Sequence, residues 1–331
     1  MLDANGNHDL AGARESAARK RTPVEYASLF ARGCCMGAAD VVPGVSGGTM
    51  AFILGIYEEL IESIRSFAQP RFVKALVTLR LREAAAAVNL PFLLAVGAGI
   101  LTAILSLAKG IEWLLVHRPV LVWSFFFGLV LASVFSVAQR VMRWSLTLWI
   151  SALAGAAGAY VLVGLVPVQT PENAAFLFFS GAVAICAMIL PGISGAFILV
   201  LLGKYHYILS ALNRRELMPV IWVALGAAVG IVTFAQVLGW LFRRYHDITV
   251  AVLTGLMVGS LRKVWPWKVD VQFITGSHGE RIPTVQHNIM PASVSGEVVL
   301  AITLAVVGFL LVIVLDWWAS RTGQPEMRPG T

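Results

Sequence analysis

Two short stretches of this chain carry the residue types that could do chemistry. The first runs Asp40-Val41-Val42-Pro43-Gly44-Val45-Ser46-Gly47-Gly48-Thr49, and the second is Pro191-Gly192-Ile193-Ser194-Gly195. Proline stops an incoming helix because it lacks an amide donor and restricts the residue before it. The glycines permit a tight turn and the close approach of a ligand. Ser46 and Ser194 then stand where an outgoing helix starts, and the free amides and positive dipole end there attract anions. Gly44, Ser46, Gly47, Gly48, Thr49, Gly192, Ser194 and Gly195 are therefore the candidate ligands of a phosphate or a carboxylate. The blander reading is that Gly and Ser merely let helices pack closely, as Gly226-x-x-x-Gly230 and Gly255-x-x-x-Gly259 would. Close packing alone does not call for a Pro followed by Gly-x-Ser-Gly in two places.

Charges near these turns are the next candidates. Asp40 is an acid well inside an apolar stretch, where a carboxylate is costly. It either carries a coupling proton or sodium ion or simply caps backbone donors of the turn. Glu58 and Glu59 follow on the outgoing arm and could line a cavity, with Glu62 nearer the interface; Arg32 and Lys204 are the cations that could face them. Lys204 could equally snorkel. Cys34, Cys35 and Cys186 show no metal or disulfide spacing, so no metal or cofactor is expected. Gly44-Val45-Ser46-Gly47 also fits the Gly-x-Ser-Gly of intramembrane serine hydrolases. That chemistry needs a base beside the serine, whereas His117 and His246 fall at helix ends. An enzyme is not expected.

The elements that must position these residues are membrane helices. Of 331 residues, 58% are hydrophobic and 13% charged, about half the charged share of an ordinary soluble chain. The net charge of +7 sits at the edges of apolar runs, which points to topology rather than nucleic acid. Six stretches approach the roughly 20 residues a crossing helix needs: 92–109, 120–138, 146–166, 219–241, 248–262 and 297–318. Two further apolar regions, 28–64 and 174–212, are broken by the Pro-Gly turns. Basic residues flank the first at both ends, so it enters and leaves by one face as a re-entrant hairpin. The positive charges favour both termini in the cytoplasm. Residues 70–90 read as an interfacial helix that could meet anionic headgroups.

A shift of 148 positions lays Pro43-Gly44-Val45-Ser46-Gly47 on Pro191-Gly192-Ile193-Ser194-Gly195, Gly33 on Gly181, Gly55 on Gly203 and Tyr57 on Tyr205. Further on, Gly97 pairs with Gly226, His117 with His246 and Gly128 with Gly255. The fold expected is all-α and polytopic. It has two inverted repeats, 28–166 and 167–318, each a re-entrant hairpin plus about three crossings. A disordered cytoplasmic tail is expected at 1–27, a further cytoplasmic tail at 319–331, and a polar loop without an assigned job at 264–296.

The run Met36-Gly37-Ala38-Ala39-Asp40-Val41-Val42-Pro43-Gly44-Val45-Ser46-Gly47-Gly48-Thr49-Met50-Ala51, then Leu54-Gly55-Ile56-Tyr57-Glu58-Glu59-Leu60, resembles the bacterial polyprenyl-phosphate transporter family. Ile185 to Gly195 supplies the second motif, and the likeness covers roughly residues 28 to 318. Where that family carries Tyr-Glu in its second half, this chain has Tyr205-His206. The resemblance implies a flippase that returns undecaprenyl phosphate from the outer to the cytoplasmic leaflet. That recycles the lipid carrier of cell-wall and surface-polymer synthesis in the bacterial inner membrane. The alternative is a secondary transporter of a soluble anion.

Overall fold

The structure, a computed structural model, describes residues 21–41, 46–141, 143–168, 170–275, 281–291 and 293–322. Pro43 and Gly44 of the first turn lie outside the described residues, as do 1–20 and 323–331 of the expected tails.

The first half is built from α1 (Pro23–Asp40), α2 (Gly47–Ile53), α3 (Tyr57–Arg65), α4 (Pro70–Val77), α5 (Leu81–Ala87), α6 (Leu90–His117), α7 (Pro119–Ala138) and α8 (Leu146–Val163). The second has α9 (Ala174–Ile189), α10 (Gly195–Leu201), α11 (Tyr205–Asn213), α12 (Leu217–Arg244) and α13 (His246–Val264). A β-hairpin of β1 (Lys268–Thr275) and β2 (Arg281–Asn288) follows, and then α14 (Gly296–Thr322). All six expected crossings are helices. Five of them are long and apolar enough to cross a bilayer by themselves; the sixth, α13, has Asp247 near its start and Arg262 and Lys263 in its last turn.

The duplication extends from sequence to element length. The short helices α2 and α10 both have 7 residues, α3 and α11 both 9, and α6 and α12 both 28. The turns between the short helices use Gly55 at φ 69° and Gly203 at φ 66°, a left-handed conformation that glycine adopts without a Cβ clash. Within each half the first helix packs on the 28-residue helix, α1 on α6 and α9 on α12. The remaining pairs cross over, α7 against α14 and α13 against α8, so neither half closes without the other. Paired glycines make these contacts. A Cβ on Gly33 would strike the Val96 carbonyl, and one on Gly181 the Val223 carbonyl; Gly128 faces Ala305 and Gly255 faces Ala152 in the same way. Gly226, Gly230 and Gly259 also sit against neighbouring backbone, as the close-packing reading of those glycines expects.

Three local features differ from the sequence reading. Helix α1 starts at Pro23, ahead of residue 28. Thr22 caps it, its hydroxyl accepting from Glu25 N–H while the Thr22 amide donates to Glu25, a Thr-x-x-Glu capping box with proline at the first position. Residues 70–90 form two helices, not one, because Leu79 takes φ 55° between them. The segment 264–296 contains an antiparallel hairpin, Lys268 opposite Asn288 and Thr275 opposite Arg281. Its alternating Val, Phe and Ile residues are a strand signal that the polar composition of the loop obscures.

Large apolar side chains such as Leu105, Leu153, Val229 and Val314 face outward, as lipid contact requires. The interior holds Phe52, Ile53, Tyr57, Phe92, Val96 and Met257. At its centre lies α2, buried at every one of its residues and in contact with α1, α7, α9 and α14.

Candidate functional site

The start of α2, just past the first motif's proline and glycine, meets the second Pro-Gly turn. Pro191 follows α9, so the last carbonyls of that helix have no amide of their own helix to accept from. Side chains of the first half fill that role. The Ser46 hydroxyl lies 3.2 Å from the Met188 and the Leu190 carbonyl oxygens, with one proton to donate between them. Tyr57, fully buried, donates to the Ile189 carbonyl at 3.1 Å. In the opposite sense, Gly192 N–H donates to Thr49 Oγ1 at 2.9 Å. Gly48 passes so close that a Cβ there would stand 2.5 Å from the Ile189 oxygen. Ser46, Gly48, Thr49 and Gly192 are thus brought together with α9's end. Gly47 and Asp40 lie on the first-half side, and Ser194 and Gly195 on the second.

The first amides of α2 are occupied by the protein's own groups. Asp40 Oδ1 accepts from Gly47 N–H at 2.6 Å, and Ser46 Oγ accepts from Gly48 N–H at 3.1 Å. Thr49 N–H donates to the Ser46 carbonyl. A carboxylate therefore sits at the positive end of α2, where an anion is stabilised. The second turn differs. Asp40 aligns with Met188, and Ser194 makes no side-chain cap on α10. Gly192 takes φ 88° and rests against Met257 and Ser260 of α13, where a Cβ would not fit.

The other charged candidates are held away from the turns. Glu59 pairs with Arg21 at 2.7 Å and accepts from Asn89, tying α3 to the start of α1 and to α6. Glu62 pairs with Arg65 at 3.0 Å and Arg243 at 3.6 Å. Glu58 faces His246 at 3.6 Å. Arg32 takes no carboxylate within salt-bridge distance among the described residues, and its buried Nε has no hydrogen-bond partner there. Lys204 is buried and faces no acid among the described residues. It is 1% exposed, and its ammonium donates to the Thr170 carbonyl at 2.6 Å beside the ring of Tyr207. Thr170 in turn donates to the Leu202 carbonyl, so this lysine pins the α8–α9 connection to the α10–α11 turn.

Sequence reasoning missed Tyr57 and Arg140. Arg140 donates to the Phe52 carbonyl at the end of α2 and lies over the Phe52 ring, 5.1 Å from its centroid. The alignment of Tyr57 with Tyr205 was a signal for the first; no pattern marked the second. Among the described residues, Ser46 Oγ bonds only to backbone groups. His117 bonds the Trp113 carbonyl, and His246 faces Glu58 and Asp247. Among the described residues no histidine stands beside Ser46 Oγ.

These features define a multi-pass membrane protein in which the short helix after the first motif packs on the turn of the second. The chain belongs to the VCA0040-like, undecaprenyl phosphate translocase-like family, whose sequence profile matches residues 36–282. It is 42% identical over 304 residues to a polyprenyl-phosphate transporter of Vibrio cholerae, covering 90% of this chain and 98% of that protein. It is 28% identical over 253 residues to a polyprenyl-phosphate transporter of Staphylococcus aureus, covering 71% of this chain and 84% of that one. No solved structure matches.

Proposed function

We propose that the protein is a flippase moving polyprenyl phosphate, undecaprenyl phosphate above all, from the outer to the cytoplasmic leaflet of the bacterial inner membrane. Both termini are cytoplasmic in this reading. The observation that carries it is the contact of Ser46 and Thr49, at the start of α2, with the second Pro-Gly turn inside a chain of this family. Broken helices that converge from two repeats are how many transporters hold a charged group at bilayer depth. Three crossings follow each hairpin, so the second half is inverted relative to the first; the matched element lengths and crossed-over packing support this arrangement.

The lipid phosphate is held at the junction by Ser46, Thr49 and Ser194 with the amides of Gly44, Gly47, Gly48, Gly192 and Gly195, while its tail stays in lipid. Asp40 now fills the place a phosphate would take at α2. Protonation of Asp40, or its neutralisation by sodium, frees the Gly47 amide and links arrival of the phosphate to arrival of a cation. No bond in the substrate is made or broken, and no cofactor takes part. The exposed Arg71, Lys74, Arg80 and Arg82 of α4 and α5 face anionic headgroups of the inner leaflet.

The test is the leaflet distribution of undecaprenyl phosphate in cells depleted of the protein and of any functional substitute. Surface-exposed lipid phosphate rises on depletion and falls on re-expression. An unchanged distribution refutes the assignment.

A further inference from the structure

The protein holds a cavity of about 500 Å³ away from the two turns, between α7, α8, the end of α13 and β2. That is within the size range of small-ligand sites. One wall is apolar, with Phe127 and Val258, and Trp265 packs edge-on against Phe127 at 5.4 Å. The other wall is the edge of the hairpin, His287 and Asn288. Arg262 lies between them.

The guanidinium of Arg262 is fixed in place. It stacks over the Tyr160 ring at 4.3 Å, donates to the Tyr160 carbonyl at 3.1 Å and lies against Gly164, where a Cβ would collide with it. Asn288 secures the same residue from the hairpin side by donating to the Arg262 carbonyl at 2.8 Å. One of the five N–H donors of a guanidinium is thereby used. Among the described residues no carboxylate comes within salt-bridge distance of Arg262, and none of the residues lining the cavity is acidic. Lys263 and Lys268 add positive charge nearby, over the Phe197 and Trp123 rings. A rigid guanidinium with no acid beside it among the described residues, next to an apolar wall, matches a phosphate that carries a hydrocarbon chain.

The position joins this cavity to the turns. Gly192 rests on Met257 and Ser260 of α13, and Phe197 of α10 lies under Lys263. The same stretch of α13 therefore presents the cavity on one side and the second turn on the other. We infer that this cavity is a second anion site, one that takes the phosphate headgroup and first isoprene units of the lipid at the face opposite the termini, with Arg262 as its principal ligand. This rests on the proposed function, and it gives the β-hairpin a role, that of holding one wall of a capture site upstream of the turns.

The test uses the full chain in nanodiscs with geranylgeranyl phosphate, geranylgeraniol and inorganic phosphate as probes. Wild-type protein binds the lipid phosphate at least about tenfold more tightly than the alcohol, and Arg262→Gln weakens lipid-phosphate binding about tenfold while leaving alcohol binding unchanged, since a charge-assisted hydrogen bond is worth about one power of ten or more. His287→Glu sets a negative charge at an exposed strand position lining the cavity and weakens phosphate binding similarly. This second variant keeps the test decisive if Arg262→Gln fails to fold by thermal melt. Competition by inorganic phosphate that depends on Arg262 supports an anion site open to free phosphate as well. Lack of competition supports a site that needs the chain. Unchanged lipid-phosphate binding in both variants overturns the inference while leaving the flippase assignment standing on the leaflet assay. Arg262-dependent binding alongside an unchanged leaflet distribution sinks the flippase assignment instead.

Discussion

Gly48→Ala should act as a wedge between the halves. The added Cβ would lie 2.5 Å from the Ile189 oxygen and 3.2 Å from both Ile189 C and Ser46 Oγ. Relief to ordinary contact near 3.4 Å needs a shift of about 0.9 Å. The obstacle is backbone, which cannot rotate away, and α2 is buried on all sides. A shift of that size would carry the Thr49–Gly192 bond beyond hydrogen-bonding distance from its present 2.9 Å. Overpacking costs about 1–3 kcal/mol, and interhelical hydrogen bonds in membranes average about 0.6 kcal/mol each. Helix propensity returns up to about 1 kcal/mol. A net loss of about 2 kcal/mol, some 30-fold in an equilibrium, should lower the melting temperature in detergent and depress lipid-phosphate internalisation. Gly97→Ala is the control: nothing lies within 4 Å of its added Cβ, so it should melt at or above the wild type. Wild-type melting and transport in Gly48→Ala would refute the idea that contact between the start of α2 and the end of α9 organises the molecule.

Other substitutions separate the roles of the charged groups. Asp40→Ala should cost about 1 kcal/mol of stability by uncapping α2. Asp40→Asn keeps an acceptor for Gly47 N–H, so it should melt like the wild type while losing internalisation; full transport in that folded variant would make Asp40 a cap and nothing more. His246 lies two residues ahead of the apolar span that starts near 248, and Glu58, then Asp247, raise its pKa from 6.5 to about 9. A raised folded-state pKa means its stabilisation is complete below about pH 6.5 and lost as pH rises through about 9. Melting should fall across that window, by an amount reduced by solvent screening, and Glu58→Gln should flatten the dependence. Lys204→Met should destabilise by about 1–3 kcal/mol, because the Thr170 carbonyl loses its donor; an unaltered melting curve would leave the lysine free for a transport role.

Membrane class, the long apolar helices, the duplicated motif and the break before α10 were legible in the chain alone. Lipid as solvent forces long apolar runs and makes every Pro-Gly interruption conspicuous, and a duplication keeps Gly33 with Gly181 and Gly55 with Gly203 at one offset. Local rules also contained the Thr22 cap and the β-hairpin, whose capping and alternation signals were simply weaker than the hydropathy around them. Only tertiary structure decided which groups satisfy one another. That Asp40 closes the first turn, that Ser46 and Tyr57 of one half serve the orphaned carbonyls of α9, and that Glu59 chooses Arg21 rather than Arg32 are long-range pairings. Hydrogen bonds form between whatever the packing of helices brings within about 3 Å, and residues 142 or 144 positions apart leave no periodicity by which a sequence could announce it.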